Sequence, residues 1–286
     1  MSTNHAERAR HFHRLHDSGQ LLVLPNVWDA ASARIVEEAG AKAIATTSAG
    51  IAWSLGHADG EQLPLQELIA ACRRIGRVVA APLSVDIERG YGQTPADVAA
   101  VVGALLEFGV VGVNIEDGVD TGASTLTPAS VLGERIAAIR TTAERVGVNL
   151  FINARTNTYF VPNDDARARI EETVRRAGVY VEAGADGVFV PGITRLDEIA
   201  EIAERIPRPL NVYAGFAGVP PTAELMRAGV RRVSLGCGPL QAVMAQTRRI
   251  AREALDQGSY KTMTDHMLPA GEANQLFRHV DLAGQP

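Results

Sequence analysis

Eight short apolar segments recur along the chain and alternate with amphipathic stretches. They are Leu21–Leu24, Ala43–Thr47, Leu83–Ile87, Val111–Ile115, Asn149–Ala154, Gly187–Val190, Leu210–Tyr213 and Arg232–Leu235. Each is nearly continuous in apolar or β-branched residues, which predicts strands buried on both faces, as in a parallel sheet. The intervening stretches space their apolar residues at helical intervals. They are Ala30–Ala39, Leu65–Ile75, Pro95–Phe108, Val131–Val146, Asp165–Ala183, Arg195–Arg205, Thr222–Ala228 and Pro239–Gln257. Gly40, Gly109, Gly184 and Gly229 each follow such a helix and precede a strand, where a helix C-terminus commonly needs glycine.

Eight strand–helix units predict an α/β chain folded as a (β/α)8 TIM barrel. A doubly wound open sheet is the runner-up. It would carry a glycine-rich phosphate loop after its first strand, and here that strand is followed by P-N-V-W-D-A. No linker or low-complexity tract interrupts the 286 residues, so a single domain is expected over 1–286. It divides into an N-terminal helix within 1–20, the barrel over 21–257 and a helical tail over 258–286. Met263, Met267, Leu268, Leu276 and Phe277 give the tail an apolar face, which a neighbouring subunit could cover.

The hydrophobic fraction of 46% suits a substantial core, and the net charge of −5 argues against a nucleic-acid binder. There is no run of 18 apolar residues, so no membrane partner is expected. The polar start lacks the apolar segment of a signal peptide, and Cys72 and Cys237 offer no disulfide framework. A cytoplasmic protein is the resulting expectation.

In a barrel the active site lies at the C-terminal strand ends, and residues i and i+2 share a face. Asp86 and Glu88 thus belong together at the top of the third strand, and Asn114 and Glu116 at the top of the fourth. Asn153, Arg155 and Asn157 follow on the fifth, and Asn211 and Tyr213 on the seventh. Clustered carboxylates with no neutralising partner suggest a hard cation, Mg²⁺ above all. Taken singly, Asp117 reads as a cap or turn former, and His5, His11, His13 and His16 as a solvated face. Cys72 reads as core, and Cys237 as a small residue at the active end of the barrel.

The stretches V-D-I-E-R-G-Y-G (85–92), V-N-I-E-D (113–117) and N-A-R-T-N (153–157) resemble the phosphoenolpyruvate mutase/isocitrate lyase superfamily. So do L-P-N-V-W-D-A-A-S-A-R (24–34) and T-T-S-A-G (46–50), and the motifs occur in the family's order. The resemblance implies a Mg²⁺-dependent barrel enzyme, with Mn²⁺ as a substitute, acting on 2-oxo or 2-hydroxy carboxylates through an enolate. It also implies a dimer or tetramer with a helix exchanged between subunits. Asp86 resembles the direct metal ligand, while Glu88, in place of the usual aspartate, and Glu116 resemble acids that act through metal-bound water. Asp59 matches a further acid near the metal. Ser48, Ala49 and Gly50 match the loop that holds the substrate carboxylate, and Arg155 the arginine that neutralises substrate charge.

The departures bear on the reaction. The lyases carry K-[KR]-C-G-H after the fourth strand, where this chain reads D-G-V-D-T-G-A-S-T-L-T-P. The mutases carry K-T-N-S-L, where this chain keeps the length but not the lysine or asparagine; Ser124 and Thr125 remain as hydrogen-bond donors. The expected activity is therefore C–C cleavage, as lyase or decarboxylase, with Asn211 and Ser124 as added substrate contacts. The alternatives are a phosphonopyruvate mutase or hydrolase, and a 2-oxo acid-binding protein with little catalysis.

Overall fold

The computed structural model describes residues 3–120 and 125–278. Helix α1 (Thr3–Asp17) leads into β1 (Leu22–Leu24) and β2 (Asn26–Val27). Pro25, which has no N–H to give a ladder, separates these two short strands. The chain continues through α2 (Ala30–Glu38), β3 (Ile44–Thr46), α3 (Ser48–Ser54), α4 (Leu65–Gly76), β4 (Leu83–Asp86), α5 (Pro95–Leu106) and β5 (Val110–Glu116). A small antiparallel hairpin, β6 (Val119–Asp120) and β7 (Thr125–Leu126), precedes α6 (Ala129–Arg145). Then come β8 (Phe151–Arg155), α7 (Ala166–Glu182), β9 (Gly187–Val190), α8 (Leu196–Arg205), β10 (Leu210–Tyr213), α9 (Thr222–Arg227), β11 (Val230–Ser234) and α10 (Gly238–Arg252). A π-helical stretch, Glu253–Gln257, leads to α11 (Lys261–Thr264) and α12 (Ala270–Arg278).

The main sheet runs β1-β11-β10-β9-β8-β5-β4-β3-β2, and every pairing in it is parallel. Counting β1 and β2 as one broken stave gives the eight staves of a nearly closed (β/α)8 barrel. Asn26 bridges the break. Its Nδ2 donates to the Thr46 carbonyl at 2.8 Å, and its Oδ1 accepts from the Gly236 amide at 2.8 Å. One side chain thus ties β3 and the turn after β11 to the broken first stave.

The strand interiors are apolar as expected: Val85, Val113, Ile115, Ile152, Val188 and Val212 are fully buried. Two α-helix starts carry reciprocal side-chain caps, Asp29 with Ser32 and Thr94 with Asp97. The helix-closing Gly40 and Gly184 have φ of +96° and +109°, where a side chain would be strained.

Helix α1 plugs the barrel bottom with His5, Ala9, Phe12 and His16, a spacing that lines one helical face. Phe12 meets Phe151 edge-on at 5.5 Å, and His16 stacks on Phe151 at 3.9 Å. Gly112 makes the room: a Cβ there would lie 2.6 Å from the Phe12 ring. This corrects the reading of the N-terminal histidines as a solvated face. His5 and His16 are buried, His5 Nε2 lies 2.9 Å from the Val110 carbonyl, and only His11 is fully exposed. The stem of the helix follows the buried stripe, which ring polarity alone conceals.

Cys72 is buried in α4, as expected of a core residue. In the tail, α12 packs on α2, where Arg34 Nε donates to the Leu276 carbonyl at 2.8 Å. Leu255, Met263, Met267, Leu268 and Phe277 stay exposed. Among the described residues, no helix is long and apolar enough to cross a membrane.

Candidate active site

A cavity of about 520 Å³ opens at the C-terminal end of the barrel. Every stave reaches it: Asn26, the Thr47–Ala49 turn, Asp86, Asn114, Arg155, Phe189, Tyr213 and Ser234 all line it. That is the end where βα loops converge in barrel enzymes.

Asp86 ends β4 and faces the cavity. Its Oδ2 accepts from the Ser48 hydroxyl at 2.9 Å and the Ser48 amide at 3.3 Å. Its own amide donates to Thr46 Oγ1 at 2.9 Å. The end of β3 and the first turn of α3 therefore fix the aspartate's rotamer. Ser48 and Ala49 line the cavity, while Gly50 lies behind them; its amide donates to Thr47 Oγ1 at 3.4 Å. A Cβ on Gly50 would lie 2.5 Å from Thr47 Cγ2, which explains the glycine.

Glu88 sits beside the cavity rather than on its wall. The strand stops at Asp86, so strict alternation does not carry on to Glu88. Glu88, Gly90 and Tyr91 all have positive φ, an uncommon backbone for Glu and Tyr that turns the chain sharply. The Glu88 carboxylate accepts from the Glu61 amide at 2.8 Å and the Tyr91 hydroxyl at 3.0 Å. Burial, then the nearby Asp86 and Asp59 charges, push its carboxyl up to about 8.

Glu116 and Arg155 are register partners on β5 and β8. Arg155 Nε lies 2.9 Å from Glu116 Oε2 and donates to Asn157 Oδ1 at 2.9 Å. Burial raises the Glu116 carboxyl, and Asp86 adds to the rise, while Arg155 opposes it. Asp59 belongs to an exposed loop, yet its carboxyl lines the cavity mouth. Withdrawal from bulk water and then Asp86 raise it too. Asn211 is buried below the cavity, where its Nδ2 donates to Ser234 Oγ at 3.1 Å. Ser124 lies outside the described residues.

Some site residues carry roles that the sequence did not indicate. Asp117 is no exposed turn former. It is fully buried and accepts from Thr156 Oγ1 (2.8 Å), the Asn157 amide (3.0 Å), Tyr180 OH (2.9 Å) and Arg176 Nη1 (3.1 Å). This network locks the turns after β5 and β8 onto α7. Arg176 and Tyr180, four apart on α7, held the signal in an otherwise apolar helix face. Arg232 points into the barrel, only 1% exposed, with Nη2 3.3 Å from Asn114 Oδ1. Cys237 also lines the cavity, with Sγ 3.8 Å from Tyr213 OH. Phe160, Phe189 and Phe216 complete its aromatic side.

Among the described residues, no three Asp, Glu, His or Cys side chains group tightly enough to cage a metal ion. The donor set is all oxygen. Burial raises three carboxyls around Asp86, and the Asp86 charge adds to each rise. Such a set fits a hard divalent cation bound by one carboxylate and several waters, with other acids in the outer sphere.

Comparisons with known proteins bear on the family and the fold. The profile of the family described as phosphoenolpyruvate phosphomutase matches residues 12–255. An uncharacterised protein of Mycobacterium tuberculosis is 38% identical over 249 residues, covering 86% of this chain and 89% of that protein. Oxaloacetate decarboxylase 1 of Pseudomonas fluorescens is 30% identical over 262 residues, 87% of this chain and 86% of that protein. Other matched relatives are named 2-methylisocitrate lyase. A crystal structure of a candidate lyase/mutase from Burkholderia cenocepacia J2315 superposes with a TM-score of 0.89 at 32% identity, covering 98% of this chain and 99% of that one. The chain belongs to the phosphoenolpyruvate phosphomutase family, within the phosphoenolpyruvate mutase/isocitrate lyase superfamily of lyases and mutases.

Proposed function

We propose that this protein cleaves a C–C bond in a small 2-oxo or 2-hydroxy carboxylate through an enolate, as a lyase or decarboxylase, with Mg²⁺ or Mn²⁺ as cofactor. The observation that carries this reading is the meeting of Asp86, Asp59 and Arg155 in one cavity at the strand ends. Asp86 would hold the cation directly, and Glu88 and Glu116 would act on its waters. When bound, the cation would withdraw electron density from the substrate carbonyl and so favour the enolate that cleavage leaves behind.

The chain's own residues supply the rest. Arg155 neutralises a substrate carboxylate; among the described residues its engaged nitrogen is Nε, which leaves the terminal pair for that ligand. Glu116 and Asn157 keep the guanidinium aimed. Ser48 holds Asp86 in one rotamer. Asp59 stands at the cavity mouth, where burial and then the Asp86 charge raise its carboxyl, and it would be placed to pass a proton to a carbanionic carbon.

The test is turnover of oxaloacetate, substituted malates and phosphonopyruvate with Mg²⁺, against Asp86→Ala and against chelator. Mg²⁺-dependent release of a 2-oxo acid or CO₂, lost in Asp86→Ala, supports the reading. Turnover that is equal in Asp86→Ala contradicts it. Turnover of phosphonopyruvate alone would assign P–C chemistry instead. Assembly as a homodimer or homotetramer is part of the same proposal, motivated by the exposed apolar residues of the tail.

A further inference from the structure

The cavity wall is divided by chemistry. Asn26, Ser48, Asp59, Asp86 and Asn114 form a polar half. Phe160, Phe189, Tyr213 and Phe216, with Pro191 among them, form an aromatic half. Arg155 stands at the seam, with its guanidinium 5.7 Å from the Phe160 ring centre and 5.8 Å from that of Phe189. It is the one cation among the described lining residues.

The aromatic half is built rather than incidental. Phe216 meets Tyr213 edge-on at 4.9 Å and Phe160 at 6.0 Å. Gly215 and Gly236 admit the Tyr213 ring: a Cβ on either would lie within 2.5 Å of it. Phe160 and Phe216 are nonetheless 42% and 44% exposed, so two rings that face the cavity remain wet. Ring faces are electron-rich and repel anions. A second carboxylate on the substrate would find no second cation there. The volume of about 520 Å³ also exceeds what a 2-oxo acid head group fills.

We infer that the substrate carries, beyond its 2-oxo carboxylate head, an uncharged apolar substituent of branched-alkyl or aryl size that packs against Phe160, Tyr213 and Phe216. This rests on the head-group reading above and names the class of compound that the site takes. A distal carboxylate that reaches the rings, as in 2-oxoglutarate, is disfavoured by the same wall.

Calorimetric titration of the full-length protein in MgCl₂ tests it, with pyruvate, 3-phenylpyruvate and 2-oxoglutarate as probes. Covering two rings should make 3-phenylpyruvate bind about tenfold or more tighter than pyruvate, with 2-oxoglutarate no tighter than pyruvate. Phe216→Ala, and separately Phe160→Ala, should cut the phenylpyruvate-to-pyruvate ratio at least about fivefold. A tighter 2-oxoglutarate complex, or a ratio unmoved in both variants, overturns the inference. Asp86→Ala separates the two levels. Pyruvate binding lost in that variant, with no phenylpyruvate preference in the wild type, removes the inference alone. No binding of any probe, or binding unaltered by Asp86→Ala, removes the head-group reading and the inference with it.

Discussion

Glu116 and Arg155 oppose each other across the β5–β8 ladder, with Arg155 Nε 2.9 Å from Glu116 Oε2. The pair sits at the strand tops, half-buried, and the Arg155 guanidinium also lies over two phenylalanine rings. Lysine offers a point charge without the planar fork that such a seat suits. Arg155→Lys is expected to lower kcat/KM at least about tenfold, and Arg155→Ala about a hundredfold or more. Steady-state kinetics on whichever 2-oxo acid turns over, with circular dichroism as a folding control, checks this.

Asp117 is a structural anchor for the same region. Asp117→Ala would leave Arg176 buried without its carboxylate, a loss of about 3 to 5 kcal/mol. In a chain of this size that lowers the melting temperature by roughly 10 °C. Calorimetry measures it, and adding Arg176→Met should restore part of the loss, because the stranded charge is gone.

Acid sensitivity has a defined source at the barrel bottom. Burial, then the nearby Arg232 charge, lowers His16 from 6.5 to about 3. The unfolded chain takes up a proton near pH 6.5 that the folded chain refuses. Folding stability is therefore fully present above that value and falls as pH drops from 6.5 towards 3. The contribution is on the order of 4 kcal/mol across the window, before other groups are counted. Chemical denaturation from pH 7 to pH 4 should show a shallower decline in His16→Leu than in the wild type. An equal slope would place the acid sensitivity elsewhere.

Gly112 is needed for the plug. Gly112→Ala drives a methyl into the Phe12 ring and should destabilise the protein by about 1 to 3 kcal/mol. Denaturant unfolding checks it, and Phe12→Leu in the same chain should relieve the clash.

The exposed apolar residues of the tail and of the π-helical stretch before it bear on assembly. Leu255 is 84% exposed, and Met267, Leu268 and Phe277 are open as well. A dimer or tetramer is expected by light scattering, and replacing Leu255 and Met267 with glutamate should shift it towards monomer. A wild-type monomer at micromolar concentration would contradict the assembly.

Much of the fold was legible because its signals are local. Gly187–Val190 and Leu210–Tyr213 match the expected strands residue for residue, since a run buried on both faces has sharp edges. The third strand ended early because the left-handed backbone at Glu88 leaves no trace in a β-branched pattern. Helix α3 was missed: S-A-G-I-A-W-S is too short to show a period. Among the site residues, those at strand tops could be placed by counting along a strand. Asp117, Arg232, Phe160 and Phe216 could not, because their roles come from partners far away in sequence. Arg176 lies 59 residues from Asp117, and Arg232 lies 118 from Asn114.

The central claim is that Asp86 anchors a divalent ion at the barrel mouth. Titration of Mn²⁺ in the presence of oxalate, followed by electron paramagnetic resonance, measures it without turnover. One bound ion per chain in the wild type, weakened about a hundredfold or more in Asp86→Ala, is the predicted result, as loss of a charged direct ligand requires. Equal Mn²⁺ affinity in the two proteins would contradict it.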